Sequence, residues 1–397
     1  MTHHNGPLDG IKVIDLGQLI AGPMVATILG DFGATVVKVE NPKAPDPLRR
    51  LFRKGDFGVW SKSSDRNKLP VTLNLKAARG RDLLLQLLAE ADVMVENFTP
   101  GTLEKLNLDP EWLLREVNPG LVIVRVSGWG QTGPMKDYRG YGRTGEAASG
   151  FAHLNGDPAG PPSHSAASLG DTAAAVWSAL GVLLALRARD ADGHGQVVDM
   201  GMSEGLLRML EQQLPVFDQL GIELKRAGNE NPGNPTVNVY ETADGHYISV
   251  SAATPRTQQA LIDLVGLDEN PELNSIDKVA RHREKFHAHV TAWVRARTAD
   301  EVEDLINASG AAGTRILGSR DIAHHPHLIA RNMVLEVEDA DLGIMRIAGI
   351  VPRLNRTPGN VRHTGRQPGS ANLEVFGPTG LGLSRSEIDT LREDGVI

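Results

Sequence analysis

Apolar residues in the first third of the chain fall into short, nearly continuous runs separated by glycine-containing turns. IKVIDL (Ile11–Leu16) and ATVVKVE (Ala34–Glu40) read as strands, with a helix predicted between them from Met24 to about Phe32. Strand, loop, helix, strand is a βαβ unit, and its parallel strands are buried on both faces. The pattern repeats. Val71–Leu75 reads as a strand, Ala78–Ala89 as a helix, Asp92–Phe98 as a strand, Pro110–Val117 as a helix and Leu121–Gly130 as a strand. This alternation predicts an α/β fold whose large domain is Rossmann-like, a parallel sheet with ligands bound beyond the carboxyl ends of its strands. Those ends carry GQLIAG, ENFTPG and SGWGQTGP. Glu40 ends the second strand as an acidic residue does in dinucleotide-binding folds. The glycines at 17, 22, 30 and 33 do not make G-x-G-x-x-G, so no nicotinamide site is expected.

The pattern changes after residue 227. RAGNENPGNP is a loop by composition, and VNVYETADGHYISVSA places two strand-like runs around an Ala-Asp-Gly turn, a β-hairpin. Charge-mixed helical segments follow to about Ala308. The expected division is a large domain over 1–227 and a smaller α+β domain over 228–330. SRSEIDTLREDGVI opens with serines ahead of acidic residues and predicts a terminal amphipathic helix with a capping box.

Composition narrows the function. With 41% hydrophobic and 23% charged residues the chain reads as globular, and a net charge of −8 argues against nucleic-acid binding. The absence of cysteine excludes disulfides, thiolate catalysis and cysteine-bound metals. No signal-peptide pattern opens the chain. The apolar run Thr172–Leu186, 15 residues, falls short of the roughly 20 needed to span a bilayer. It is expected to be a buried helix in a cytoplasmic protein without a membrane partner.

Asp171 is the one charge at the head of that helix. One reading makes it the N-cap, its carboxylate accepting bonds from free backbone N–H groups. Another makes it a nucleophile toward an activated acyl group, held as an anion at the positive end of the helix dipole. The two are compatible. His153 and His164 read as loop residues. His324, His325 and His327 form a cluster broken by a proline, without the helical spacing of a metal site, and read as structural.

Beyond this point the chain resembles a family. LDGIKVIDLGQLIAGP, GDFGATVVKVE, the block from RNKLPVTLNLKAARG to ENFTPGTLEKL, NPGLVIVRVSGWGQTGP, LGDTAAAVWSALGVLLAL, GHGQVVDMGMSEG and the ending from LNRTPG to LREDGVI follow in the order seen in class III coenzyme A-transferases. These include formyl-CoA transferase and carnitine CoA-transferase, with α-methylacyl-CoA racemase as an offshoot. The resemblance implies that Asp171 attacks an acyl-CoA and passes through an aspartyl anhydride and an aspartyl-CoA thioester. The substrates would be an acyl-CoA and a carboxylic acid, with no prosthetic group and no metal. By position, Leu73, Asn74, Leu75 and Lys76 would meet the adenine, and Asn97 and Phe98 would line the pantetheine path. Lys105 and Arg139 would meet the phosphates, with Lys38 and Arg66 as further candidates. Tyr141 and Gly170 would adjoin the acyl group. Asn41 stands where formyl-CoA transferase has an arginine. Racemases carry a His-Asp pair where this chain has Tyr141 and Gly142. A tyrosine is a poor base at neutral pH, so transfer is favoured over racemisation, with a non-catalytic acyl-CoA binder as a third reading. The small-domain segment Ser251–Gln259, read as a loop, replaces a glycine run of the family. Residues 331–397 would be a linker returning to the large domain. The family also implies an interlocked, ring-like homodimer.

Overall fold

In the computed structural model, which describes residues 6–397, the chain divides into two compact units. One comprises residues through Ala152, His164–Ile222 and Pro326–Ile397; the other His153–Ser163 and Glu223–His325. The segment His153–Ser163 therefore belongs with the second unit, although in sequence it interrupts the first. Its tie is local: Arg226 Nη1 donates to the His153 carbonyl at 3.1 Å.

The first unit is built on six strands: β1 (Lys12–Asp15), β2 (Thr35–Glu40), β3 (Lys68–Thr72), β4 (Val93–Glu96), β5 (Val122–Ser127) and β6 (Val197–Gly201). All pair in parallel, in the spatial order β3-β2-β1-β4-β5-β6. The order reverses direction between β1 and β4, which opens a crevice beyond their carboxyl ends. Side chains alternate across the sheet. Val13, Val36, Val93, Val95, Val124 and Val126 meet α1 (Ala21–Asp31) and α4 (Leu169–Asp192) on one face. Ile14, Val37, Val39, Met94 and Ile123 meet α2 (Ala78–Ala89) and the C-terminal residues Val375, Phe376, Ile388 and Leu391 on the other. At the terminal helix Arg385–Glu393, Ser384 and Glu387 form the anticipated capping box.

Several boundaries depart from the sequence reading. The third strand starts at Lys68, not Val71. Lys68 is fully buried, held by Asp15 Oδ2 at 2.9 Å, so a charged residue opens a buried strand. Pro70 is tolerated there because β3 is a sheet edge. α1 begins at Ala21, with Pro23 in a first turn whose N–H groups lack helical acceptors anyway. The helix read over Pro110–Val117 is a short α-turn followed by a wider π-turn over Leu113–Val117. The edge strand β6 carried too weak a pattern to be predicted.

The segment expected to form a buried helix is longer than its apolar run. α4 has 24 residues and ends at Gly193 in the left-handed conformation. It is buried on one face only: Val176, Leu180, Leu183 and Leu184 are exposed.

In the second unit β7 (Val237–Glu241) and β8 (Tyr247–Ser251) form the predicted hairpin, extended by β9 (Gly313–Arg315). Ile248 and Val250 meet Phe286, Val290 and Val302 from the helices in its core. Ser251–Gln259 is not a loop. Ser251 ends β8, and Thr254 caps a helix beginning at Pro255 through a reciprocal bond with Thr257.

Candidate active site

Asp171 does not cap its helix. Ser168 occupies the N-cap, and Asp171 stands in the first turn, three residues in. The side chain faces a cavity of about 450 Å³ in the first unit, at the crevice between β1 and β4. Gln18–Ile20 after β1, Asn97–Pro100 after β4 and Ser127–Gly128 at the end of β5 line it, with Arg139–Tyr141 closing the far side. Asn97 ties two of these loops together. Its Oδ1 accepts from Gln18 N at 2.8 Å and its Nδ2 donates to Gln18 O at 2.9 Å. The loop after β4 is braced from below by buried Glu96, which accepts from Phe98 N at 2.7 Å and Arg125 Nε at 2.8 Å.

The departure at Gly142 acquires a physical reason here. α3 (Gly142–Ala148) packs its first turn against the first turn of α4. A β-carbon at Gly142 would overlap Asp171 Oδ2, and one at Gly170 would overlap the Gly142 carbonyl oxygen. Two glycines let backbone meet backbone and leave the carboxylate room. Tyr141, the residue before α3, is 63% exposed and lines the same cavity.

Burial pushes the Asp171 carboxyl up to about 6; its own backbone N–H opposes the rise, and the charge of Glu146 adds to it. Desolvation thus outweighs the backbone hydrogen bond at the helix start. At pH 7 the group is still ionised by roughly ten to one, and it is more basic than an ordinary carboxylate. Glu146 was not anticipated. It is fully buried, and its Oε2 meets His164 Nδ1 and Ser165 N, each at 3.0 Å. His164 is therefore the partner of a buried carboxylate, and the pair tethers the segment leading into α4.

The anticipated CoA contacts do not all come together. Leu75, Lys76 and Lys105 come together around a pocket of about 200 Å³, joined by Arg81, which the sequence reading missed. Arg81 Nε is buried without a hydrogen-bond partner; its place one turn into α2, near Lys76, was the available signal. Arg139, Asn97 and Phe98 lie instead around the cavity that holds Asp171. The turn Thr102–Lys105 links the two, with Thr102 on the larger cavity and Lys105 on the smaller. Leu73 and Asn74 offer little from the backbone, since their N–H groups bond Glu40 O and Val396 O.

Lys38 is a correction. Its side chain is 0% exposed, and Nζ is bound by Asp46 Oδ2 at 3.0 Å and Gly17 O at 3.1 Å, with Asp15 and Asp65 each at 3.9 Å. Asp15, Asp65, Asp46 and Glu40 together hold its ammonium protonated against burial. It cannot reach a phosphate; it anchors the loop after β1. Arg66 is likewise occupied, by Asp31. Glu40, at the dinucleotide-like position, binds Arg49 Nη2 at 2.6 Å and does not face a ribose site.

Comparison with known proteins agrees in extent with this architecture. The model of CoA-transferase family III matches residues 8–369. The chain is 37% identical to the succinyl-CoA–D-citramalate CoA-transferase of Chloroflexus aurantiacus over 98% of each chain. It is 31% identical to a bile acid CoA-transferase of Clostridium scindens, over 98% of this chain and 89% of that one. A crystal structure of a CAIB/BAIF family protein from Brucella suis has a TM-score of 0.84 at 25% identity, covering 94% of this chain and 98% of that one. A parallel sheet with its crevice at the switch point, and a match across almost the whole chain, lead to one conclusion: the protein belongs to CoA-transferase family III and is a class III CoA-transferase.

Proposed function

We propose that the enzyme moves CoA from an acyl-CoA to a free carboxylic acid, with Asp171 as the covalent relay. The observation that carries this is a half-buried, still ionised carboxylate facing the switch-point cavity. An Asp171 oxygen attacks the thioester carbon, the C–S bond breaks and CoA leaves as thiolate, giving an aspartyl–acyl anhydride. The thiolate attacks the aspartyl carbonyl; the anhydride C–O bond breaks, releasing the first acid and leaving an aspartyl-CoA thioester. The acceptor carboxylate attacks that thioester carbonyl and expels the thiolate, giving a second anhydride. The thiolate then attacks the acceptor's acyl carbon, forming the new acyl-CoA and restoring Asp171. Each step exchanges one activated acyl bond for another, so the sequence needs no ATP.

The nucleotide end of CoA is assigned to the pocket of Lys76, Arg81 and Lys105, where cationic side chains suit phosphate oxygens. Pantetheine would run past Thr102, Asn97 and Phe98 toward Asp171. Arg139 and Tyr141 flank the reacting end. Racemisation asks for a second acid–base group beside the α-carbon, and neither Tyr141 nor Gly142 supplies one.

The reading includes a cytoplasmic homodimer, interlocked as in the family. The exposed apolar face of α4 supports a partner subunit. So does the helix Gln213–Leu220, which buries no residue yet carries Leu214, Phe217 and Leu220. Apolar patches of this kind mark interaction surfaces.

Mass spectrometry after incubation with an acyl-CoA and hydroxylamine or borohydride tests the mechanism. Asp171 is expected to carry the trapped adduct, and Asp171→Asn to lose both adduct and CoA exchange. Full exchange in that variant would overturn the proposal.

A further inference from the structure

Building on that reading, we infer that the acyl group carried through the reaction is apolar beyond its reacting carbon, and that a second cavity receives it. This cavity, about 510 Å³, lies within the usual size range of small-molecule sites. It shares Leu19 and Ile20 with the cavity that holds Asp171. Ser168 and Thr172 also line it. Being four residues apart, they share one face of the first turn, and Asp171 lies roughly 80° around the helix from that face. An acyl group bonded at Asp171 therefore has a short turn to make around Leu19.

The wall is apolar. Ile20, Met24 and Ile28, spaced by four, present one side at the start of α1 and along it. Phe52 and Trp60 present another, their rings 6.1 Å apart. Among the described residues the cavity has one charged side chain on its lining, Arg66, and every guanidinium nitrogen is engaged. Nε meets Asp31 Oδ1 at 2.8 Å, Nη2 meets Asp31 Oδ2, and Nη1 meets the Ser63 carbonyl at 3.0 Å. Thr27 Oγ1 is committed to the Pro23 carbonyl at 2.8 Å. A dicarboxylic acyl group lodged in this cavity would bring its second carboxylate to a lining that, among the described residues, has no free cation, losing water without a counter-charge.

Backbone strain independently marks this cavity. Among the described residues, five other than glycine have positive φ: Leu19, Phe52, Asn67, Asn107 and Asn332. Asparagine tolerates that region; bulky side chains do not. The two exceptions, Leu19 at 61° and Phe52 at 48°, both line the cavity. Such strain persists only where the surroundings over-determine it, and it gathers at functional sites. At Leu19 the surroundings are visible. Its N–H lies 3.0 and 3.1 Å from the two Asp46 oxygens, and Asp46 is clamped by buried Lys38. Phe52 stays 75% exposed, its ring tilted against Trp60 and its carbonyl accepting from Val59 N at 2.9 Å.

The experiment compares hexanoyl-CoA, acetyl-CoA and succinyl-CoA as donors by kcat/KM with one acceptor acid. Hexanoyl-CoA should exceed succinyl-CoA by about tenfold or more, the size of discrimination a few methylenes in an apolar pocket supply. Phe52→Asn keeps a residue that accepts left-handed backbone on an exposed turn, so folding is not at stake. It should lower the hexanoyl-to-acetyl selectivity ratio by at least about fivefold. Succinyl-CoA equal to or better than hexanoyl-CoA, or an unchanged ratio in the variant, overturns the inference. Trapping at Asp171 separates the two claims. If succinyl-CoA labels Asp171 while the apolar preference is missing, the apolar pocket alone falls. If no donor labels Asp171, the mechanism falls and the inference with it.

Discussion

Asp171 owes its chemistry to competing local terms. Burial raises its pKa, its own backbone N–H opposes that, and the buried charge of Glu146 adds to the rise. Only the anion attacks a thioester, so activity is present above the pKa and lost as pH falls through it. The acid limb of kcat/KM should therefore have its midpoint near pH 6 and a slope of one proton. Glu146→Gln removes a like charge while an amide oxygen remains to accept from Ser165 N, so the midpoint should move to lower pH. A pH–rate profile measures both, and an acid limb at the ordinary carboxylate range in the unaltered enzyme would contradict this account of the nucleophile. Asp171 itself was legible as a lone carboxylate ahead of an apolar run. Glu146 was not: a glutamate amid glycine and alanine in RTGEAASG reads as surface until tertiary structure buries it.

At the level of elements, β1, β2 and β3 are joined by charge. Lys38 and Lys68 lie inside, among Asp15, Asp46 and Asp65. The cluster fixes the loop after β1, which floors both cavities. Removing one partner of such a network leaves buried carboxylates uncompensated, at a cost of about 3–5 kcal/mol. Lys38→Met should accordingly lower unfolding free energy by about that amount in denaturant titrations. A variant of native stability with only a raised KM for CoA would restore the phosphate role that the sequence suggested. The same cluster explains why the third strand was read three residues late. A hydropathy pattern treats lysine as solvent-exposed, and Lys68 finds its partner 53 positions earlier in the chain.

For the whole molecule, the unpartnered apolar faces of α4 and of Gln213–Leu220 belong to the question of assembly. Leu184 is 63% exposed on a helix that spends its other face on the sheet. Leu184→Glu should leave the protomer folded, since no buried contact is lost. In the proposed interlocked dimer it would place a charge in the subunit interface. Analytical ultracentrifugation is expected to show a dimer for the unaltered chain and a monomer, with turnover lost, for the variant. An unaltered chain that sediments as a monomer at full activity would rule the dimer out.

The chain's own pattern determined the α/β class, five of the six strands of the parallel sheet, the hairpin of the second unit and the candidacy of Asp171. These follow from short-range signals: runs of apolar residues, turn residues at fixed offsets, and one charge beside a helix start. Tertiary structure decided which charges are interior, that Lys38 braces rather than binds, and that Gly142 and Gly170 make room for the carboxylate. It also brought Arg81 to the lysines and gathered Leu19, Phe52 and Trp60 around one cavity. Each of these depends on partners far apart in sequence, and the burial of a polar group becomes favourable only when those partners arrive together.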